Sequence, residues 1–195
     1  MFLEQDYFVN GKTVRSNDRY THFGVAAARL AIEDAKLDIQ GSSDATRLGV
    51  IVGSAFGGME TYETQTLKLA ASGPKKVSPF TIPALLGNTA AGVIGIEFGL
   101  KGPNYGVVSA CATASHAMGE AMAAIRRGDT DVMITGGCEA AITPTSFAGF
   151  CSMKAMCTNF NDNPTKGEIE SWQFYHLHVA NFTVLLFYLL RVATI

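Results

Sequence analysis

A cysteine at the junction of a strand and a helix is the residue of this chain best placed to do chemistry. Cys111 follows the apolar run Tyr105–Ala110, which reads as a short strand, and it opens Cys111–Arg127, a segment rich in helix-forming Ala and Met. At a helix N-terminus the unsatisfied N–H groups and the macrodipole favour a thiolate over a thiol. The same N–H groups can hold the oxyanion of an attacked thioester. A sharp strand-to-helix turn exposes the sulfur, as in a nucleophile elbow. The plainer reading of Cys111 is a small buried residue in an alanine-rich helix, since free cysteine is among the most buried residue types.

A cysteine nucleophile needs a base, and the nearest histidine does not serve. His116 lies five positions on, roughly 140° around the helix and ~7.5 Å up it, so packing or a surface role suits it better. His176 and His178 have the spacing of a metal pair on one strand face, but nothing supplies further ligands and no metal is expected. Cys138, Cys151 and Cys157 lack CxxC spacing and read as ordinary buried thiols. The turn Gly53–Gly58 has neither a Gly-Lys-Ser/Thr ending nor a GxGxxG pattern, which leaves a strand-end turn rather than a nucleotide site. Lys75 and Lys76 form a solvated pair on a loop, a surface that suits an acidic carrier protein.

The elements that must position these residues alternate. From Asp18 onward Phe23, Ala26, Ala27, Leu30, Ala31 and Ala35 recur at helical spacing, with Arg29, Glu33 and Lys36 on other faces. Gly41-Ser42-Ser43 breaks the chain, and Arg47–Gly53 reads as a buried strand. A second helix spans Glu60–Ala71. The prolines at 79 and 83 make 79–83 an extended stretch. Asn88–Phe98, small and apolar, suits a closely packed helix stopped by Gly99. Val132–Thr135 is another apolar strand, ended by Gly136 and Gly137. Buried strands alternating with helices predict an α/β fold with a largely parallel sheet.

Composition narrows the class. In 195 residues, 48% are hydrophobic and 16% charged, which excludes a disordered chain. A formal net charge of −2 gives no reason to expect nucleic acid or an anionic membrane as partner. The N-terminus carries Glu4 and Asp6 where an export signal is basic, and no targeting peptide is visible. A reducing compartment is expected: cytoplasm, plastid stroma or mitochondrial matrix. Residues 167–195 differ in composition, holding six aromatics, the only Trp and a single Gly. Their apolar core, Phe182–Leu190, is nine residues long, against the ~20 that cross a bilayer as a helix, so no membrane span is expected.

Several segments together resemble the β-ketoacyl-acyl-carrier-protein synthases, condensing enzymes of the thiolase-like fold. They are Val77–Pro83, Asn88, Gly99–Asn104, Ser109–His116, Ile125–Gly128, Gly136–Ile142, Phe150 and Asn161–Pro164. The resemblance is to the fatty-acid elongating type and runs over 18–166, with 1–17 an irregular N-terminal segment and 167–195 a divergent tail. It implies the N-terminal half of a duplicated α/β fold. It places the family's nucleophile on Cys111, with the Cys111 N–H as an oxyanion donor, and it places Phe56 at the inner end of an acyl pocket. It implies an acyltransferase that condenses an acyl-cysteine with malonyl-carrier protein in a decarboxylating Claisen reaction. Substrates arrive on the phosphopantetheine of acyl carrier protein, with no other cofactor, and the family forms a homodimer in which the strand before the nucleophile pairs with its symmetry mate. The family's two catalytic histidines, its lysine and its gating phenylalanine loop belong to the second half, whose motifs are absent from this sequence. A non-catalytic fragment or interaction subunit is therefore the alternative reading. Polyketide ketosynthases and thiolases are related runners-up, and thiolase motifs fit less well.

Overall fold

In the computed structural model the described residues are 4–39, 41, 44–156, 160–163, 165 and 186–191. Cys157, His176 and His178 lie outside them, as does most of the 167–195 tail. The chain divides into two compact units, Met1–Ala141 with Thr183–Ile195, and Ile142–Phe182.

The first unit is built on a sheet of order β2-β1-β3-β4. β1 (Leu48–Gly53) and β3 (Val132–Gly137) run side by side in parallel, from Leu48 opposite Val132 to Gly53 opposite Gly137. Every residue of both strands is buried, the pattern of a strand covered on both faces. β2 (Asn104–Tyr105) pairs parallel to β1 at the sheet edge. β4 (Leu186–Arg191) pairs antiparallel to β3, so the apolar segment of the tail contributes a strand.

Side chains alternate across the sheet. Val50, Val52 and Ile134 point into one layer with Tyr20, Val25, Ala28, Ile32, Ala90, Ala91 and Ile94. Ile51 and Met133 point into the other, against Ala117 and Ala121. The first layer is made by α2 (Arg19–Asp34) and α5 (Thr89–Phe98), the second by α6 (Thr113–Arg127). Burying a Leu- or Ile-sized side chain contributes about 1.5–3 kcal/mol, so these two layers hold the sheet ends in register.

α2 starts where Asp18 caps it: Oδ1 accepts from Tyr20 N–H at 3.2 Å. Oδ2 accepts from the Thr61 N–H at 2.8 Å and its hydroxyl at 2.7 Å, tying α2 to the start of α3 (Met59–Ser72). The buried face of α2 follows Tyr20, Gly24, Val25, Ala28 and Ile32, whereas Leu30 is exposed. Of the expected stripe, Ala26 and Ala27 are buried and Phe23 packs against the core, whereas Leu30 and Ala35 face outward. Tyr20 buries its ring and satisfies its hydroxyl on the Leu86 carbonyl; burial pushes its phenol up to about 12.

Two other expectations change. The extended stretch at 79–83 holds a one-turn helix, α4 (Thr81–Leu85). Pro83 sits within its first turn, where an N–H has no intrahelical partner to lose. The strand expected over Tyr105–Ala110 is only two residues long. Beyond it Ser109 and Ala110 leave the extended region, with Ala110 at φ +49°. The N-terminal segment holds a 3-10 turn at Glu4–Tyr7 and α1 (Gly11–Val14). Among the described residues no helix is long and apolar enough to cross a membrane. The second unit contains α7 (Pro144–Ser152), opened by Pro144 and capped by the Thr143 side chain, which accepts from the Ser146 N–H.

The glycines that end β1 and β3 are required by close approach. A Cβ on Gly53 would lie 2.2 Å from Thr113 Cγ2 and 2.8 Å from the Val107 carbonyl; one on Gly137 would lie 2.8 Å from Ala114 Cβ. The first turn of α6 thus seats directly on the carboxyl ends of the two central strands. Gly53→Ala is expected to cost about 1–3 kcal/mol through overpacking, read as a lower denaturation midpoint. An unchanged midpoint would contradict this seating.

Candidate active site

The carboxyl end of a parallel sheet is where open α/β folds bind ligands. Here that end collects the Cys111 turn, the glycine-rich loop with Phe56, and Glu139.

Cys111 does not begin the α-helix. It sits in a 3-10 turn, Ala110–Ala112, and Ala112 is the N-cap of α6. The turn is closed by Ala112 N–H on the Ser109 carbonyl and Thr113 N–H on the Ala110 carbonyl. Ala110 adopts the left-handed region, which costs a non-glycine residue about 1–2 kcal/mol. Such backbone outliers cluster at functional sites. Two side-chain bonds hold the turn: Ser109 N–H donates to Thr113 Oγ1 at 2.8 Å, and Ser109 Oγ shares a hydrogen bond with His116 Nδ1 at 2.6 Å. His116 is thereby committed to Ser109. Cys111 is a free thiol and is exposed.

The other thiols separate. Cys138 is buried with its sulfur against Gly24, where an added Cβ would lie 3.0 Å from it. Burial pushes its thiol well above the usual range. Cys151, expected to be buried, is exposed instead, because the α7 positions from Ala148 through Cys151 carry little cover within their unit. Native-state alkylation with peptide mapping is expected to modify Cys111 and spare Cys138 by at least about tenfold, since only thiolate reacts and each pKa unit removes a factor of ten. Labelling of Cys138 at the rate of Cys111 would contradict this arrangement.

Phe56 sits in the loop between β1 and α3 and is 45% exposed. The loop is held from one side by a residue to which sequence reasoning assigned no role. Glu139 accepts from Ala55 N–H at 2.7 Å, from Phe56 N–H at 3.1 Å and from the Ser54 hydroxyl at 3.1 Å. Its one signal in the sequence is position: an acid placed directly after a buried strand end, Gly136-Gly137-Cys138, in a fold with a glycine-rich loop beside it. Lys75 and Lys76 are exposed on a 3-10 turn, Pro74–Lys76.

Comparison with known proteins identifies the family. The family described as β-ketoacyl synthase, N-terminal domain, matches residues 4–167. A 3-oxoacyl-(acyl-carrier-protein) synthase 2 of Staphylococcus aureus is 46% identical over 151 residues, 77% of this chain and 37% of that protein. The synthase of the same name from Synechocystis is 43% identical over 157 residues, 80% of this chain and 37% of that protein. A solved β-ketoacyl synthase from Burkholderia phymatum superposes with a TM-score of 0.71 at 28% identity, covering 84% of this chain and 40% of that one. A type II polyketide ketosynthase solved with its acyl-carrier protein has a TM-score of 0.70 at 24% identity, over 76% of this chain and 42% of that one, and supports the fold alone. This chain spans a little over a third of the length of the curated relatives it matches. With a mixed α/β unit on a mainly parallel sheet, an exposed cysteine at its carboxyl end and a family match over most of its length, the chain belongs to the β-ketoacyl synthase family and carries its N-terminal domain.

Proposed function

We propose that this chain carries the acyl-accepting half of a β-ketoacyl-acyl-carrier-protein synthase of fatty-acid elongation. The observation that carries the reading is Cys111, exposed in a turn held open by Ala110 and seated on the carboxyl ends of β1 and β3. Cys111 Sγ attacks the carbonyl carbon of an acyl thioester on the phosphopantetheine arm of acyl carrier protein. The new carbon–sulfur bond forms as the old one breaks, and the proton of Cys111 leaves with the released thiol. The Cys111 N–H is the proposed oxyanion donor; such a donor contributes about 10²–10³ in rate. In the second half-reaction malonyl-carrier protein loses CO₂. The electron pair left on its α-carbon attacks the acyl-cysteine, and Cys111 thiolate departs. The malonyl step needs donors for the enolate, which we assign to a segment beyond the motifs present in these 195 residues. We take residues 18–166 as the synthase portion and 167–195 as a tail of divergent sequence whose strand β4 joins the sheet.

Relatives named 3-oxoacyl-(acyl-carrier-protein) synthase 2 at 43–46% identity favour this reading over a polyketide ketosynthase. The edge strand β2 is the proposed site of homodimer pairing. The test is to mix acyl carrier protein bearing a labelled acyl group with the chain. We expect label on the chain that neutral hydroxylamine releases, as it does thioesters. No transfer from a folded sample would overturn the reading.

Phe56 is the proposed end of the acyl pocket. Acyl chains that overfill a packed site cost about 1–3 kcal/mol, so Phe56→Ala is expected to extend the accepted chain length. Equal length profiles for the two proteins would contradict this.

A further inference from the structure

Glu139 is half-buried at the end of β3, and its position is fixed on both sides. Cys138 N–H donates to the Gly53 carbonyl at 3.0 Å, continuing the β1–β3 pairing past the strand, and the Cys138 sulfur is locked against Gly24. The carboxylate therefore leaves a rigid base. As a carboxylate its two oxygens only accept, and on this loop they take the Ser54 O–H, the Ala55 N–H and the Phe56 N–H. Ser54 Oγ in turn accepts the Gly57 N–H at 2.9 Å. Four consecutive residues, 54–57, thus hang on one side chain. Burial pushes the Glu139 carboxyl above its ordinary value, and the loop N–H groups pull it back. A buried carboxylate is costly to desolvate; a loop that needed only to be filled would not require one.

We infer that Glu139 is a positioning residue for acyl-chain specificity: by clamping Ser54, Ala55 and Phe56 it sets where the Phe56 ring stands and so how long an acyl chain Cys111 accepts. This rests on the reading that Cys111 is acylated and that Phe56 borders the acyl pocket. Glu139 itself touches no substrate. Glu139→Gln can keep all three contacts, its Oε1 accepting from both loop N–H groups and its NH₂ donating to Ser54 Oγ, whereas Glu139→Leu removes every acceptor at similar volume.

The test uses the full chain and acyl N-acetylcysteamine thioesters from butanoyl to dodecanoyl, with acylation of Cys111 followed by mass spectrometry. Wild type, Phe56→Ala, Glu139→Leu, Glu139→Ala and the Phe56→Ala/Glu139→Ala double variant are compared. We expect wild type to favour short chains, and Phe56→Ala and both Glu139 variants to lose that preference. The double variant should match Phe56→Ala alone, because a clamp on a ring that is gone changes nothing further. Amide hydrogen exchange supplies a readout independent of acylation. Glu139→Leu should exchange about tenfold or more faster at Ala55 and Phe56, with Val50–Val52 unchanged; this measurement also decides the matter if Glu139→Ala fails to fold. If Phe56→Ala loses the preference while Glu139→Leu keeps it, the clamp is overturned and the pocket stands. If Phe56→Ala keeps the preference, the pocket reading falls and takes the specificity role of Glu139 with it. Unaltered exchange at Ala55 and Phe56 in Glu139→Leu overturns the clamp directly.

Discussion

Given both acyl- and malonyl-carrier protein, these 195 residues alone are expected to form no β-ketoacyl product. Decarboxylation of a malonyl thioester leaves a negative charge that must be met by donors as CO₂ departs. The family resemblance assigns this to two histidines from the second half of the fold. The histidines described here are otherwise engaged. His22 bonds the Val14 carbonyl through Nε2 at 2.9 Å and packs edge-on against Phe8 at 5.8 Å. His116 is held by Ser109. Losing one stabilising donor costs about 10²–10³-fold, so losing a pair should take turnover below detection. The assay is product detection by mass spectrometry. Turnover that vanishes in Cys111→Ser would show that the donors are present after all.

The second large effect falls on the first half-reaction. Cys111→Ala is expected to abolish acyl transfer from carrier protein. Cys111→Ser should lower it by at least about 10³-fold, because a hydroxyl lacks the thiolate fraction and intrinsic nucleophilicity of a thiol. Cys151→Ser serves as the control: Cys151 is also exposed, yet nothing in α7 presents it as the Ala110 turn presents Cys111. Single-turnover transfer of label from acyl carrier protein measures all three. Equal loss in Cys151→Ser, or none in Cys111→Ala, would remove Cys111 from the reaction.

Most of the scaffold was legible in the sequence, and the failures have physical causes. β1, β3, α2 and α6 follow from buried apolar runs and helix-forming segments punctuated by glycine, and they lie within two residues of expectation. On α2 only part of the expected stripe faces the core, because an alanine-rich helix has several stripes of similar hydrophobicity. Tyr20 and Thr21, polar by type, are fully buried there, and for Tyr20 the Leu86 carbonyl makes that tolerable. The strand before Cys111 was drawn too long because Val107 and Val108 have high strand propensity. Instead the positive φ of Ala110 bends the chain into the turn that carries the sulfur. Glu139 could be seen in its motif but not understood. Its role comes from a loop more than eighty residues earlier in the chain, and no local pattern reports a hydrogen bond across that distance. The strand β4 had no signal, since its pairing with β3 depends on a sheet edge that only the assembled fold provides.

The central claim is that Cys111 is the residue that takes the acyl group. Peptide mapping of the chain after brief exposure to acyl carrier protein loaded with a short acyl chain tests it most directly. The account predicts a single acyl adduct on the peptide containing Cys111, labile to hydroxylamine, with Cys138 and Cys151 unmodified. An adduct on Cys151 or Cys138 with Cys111 left free would contradict it.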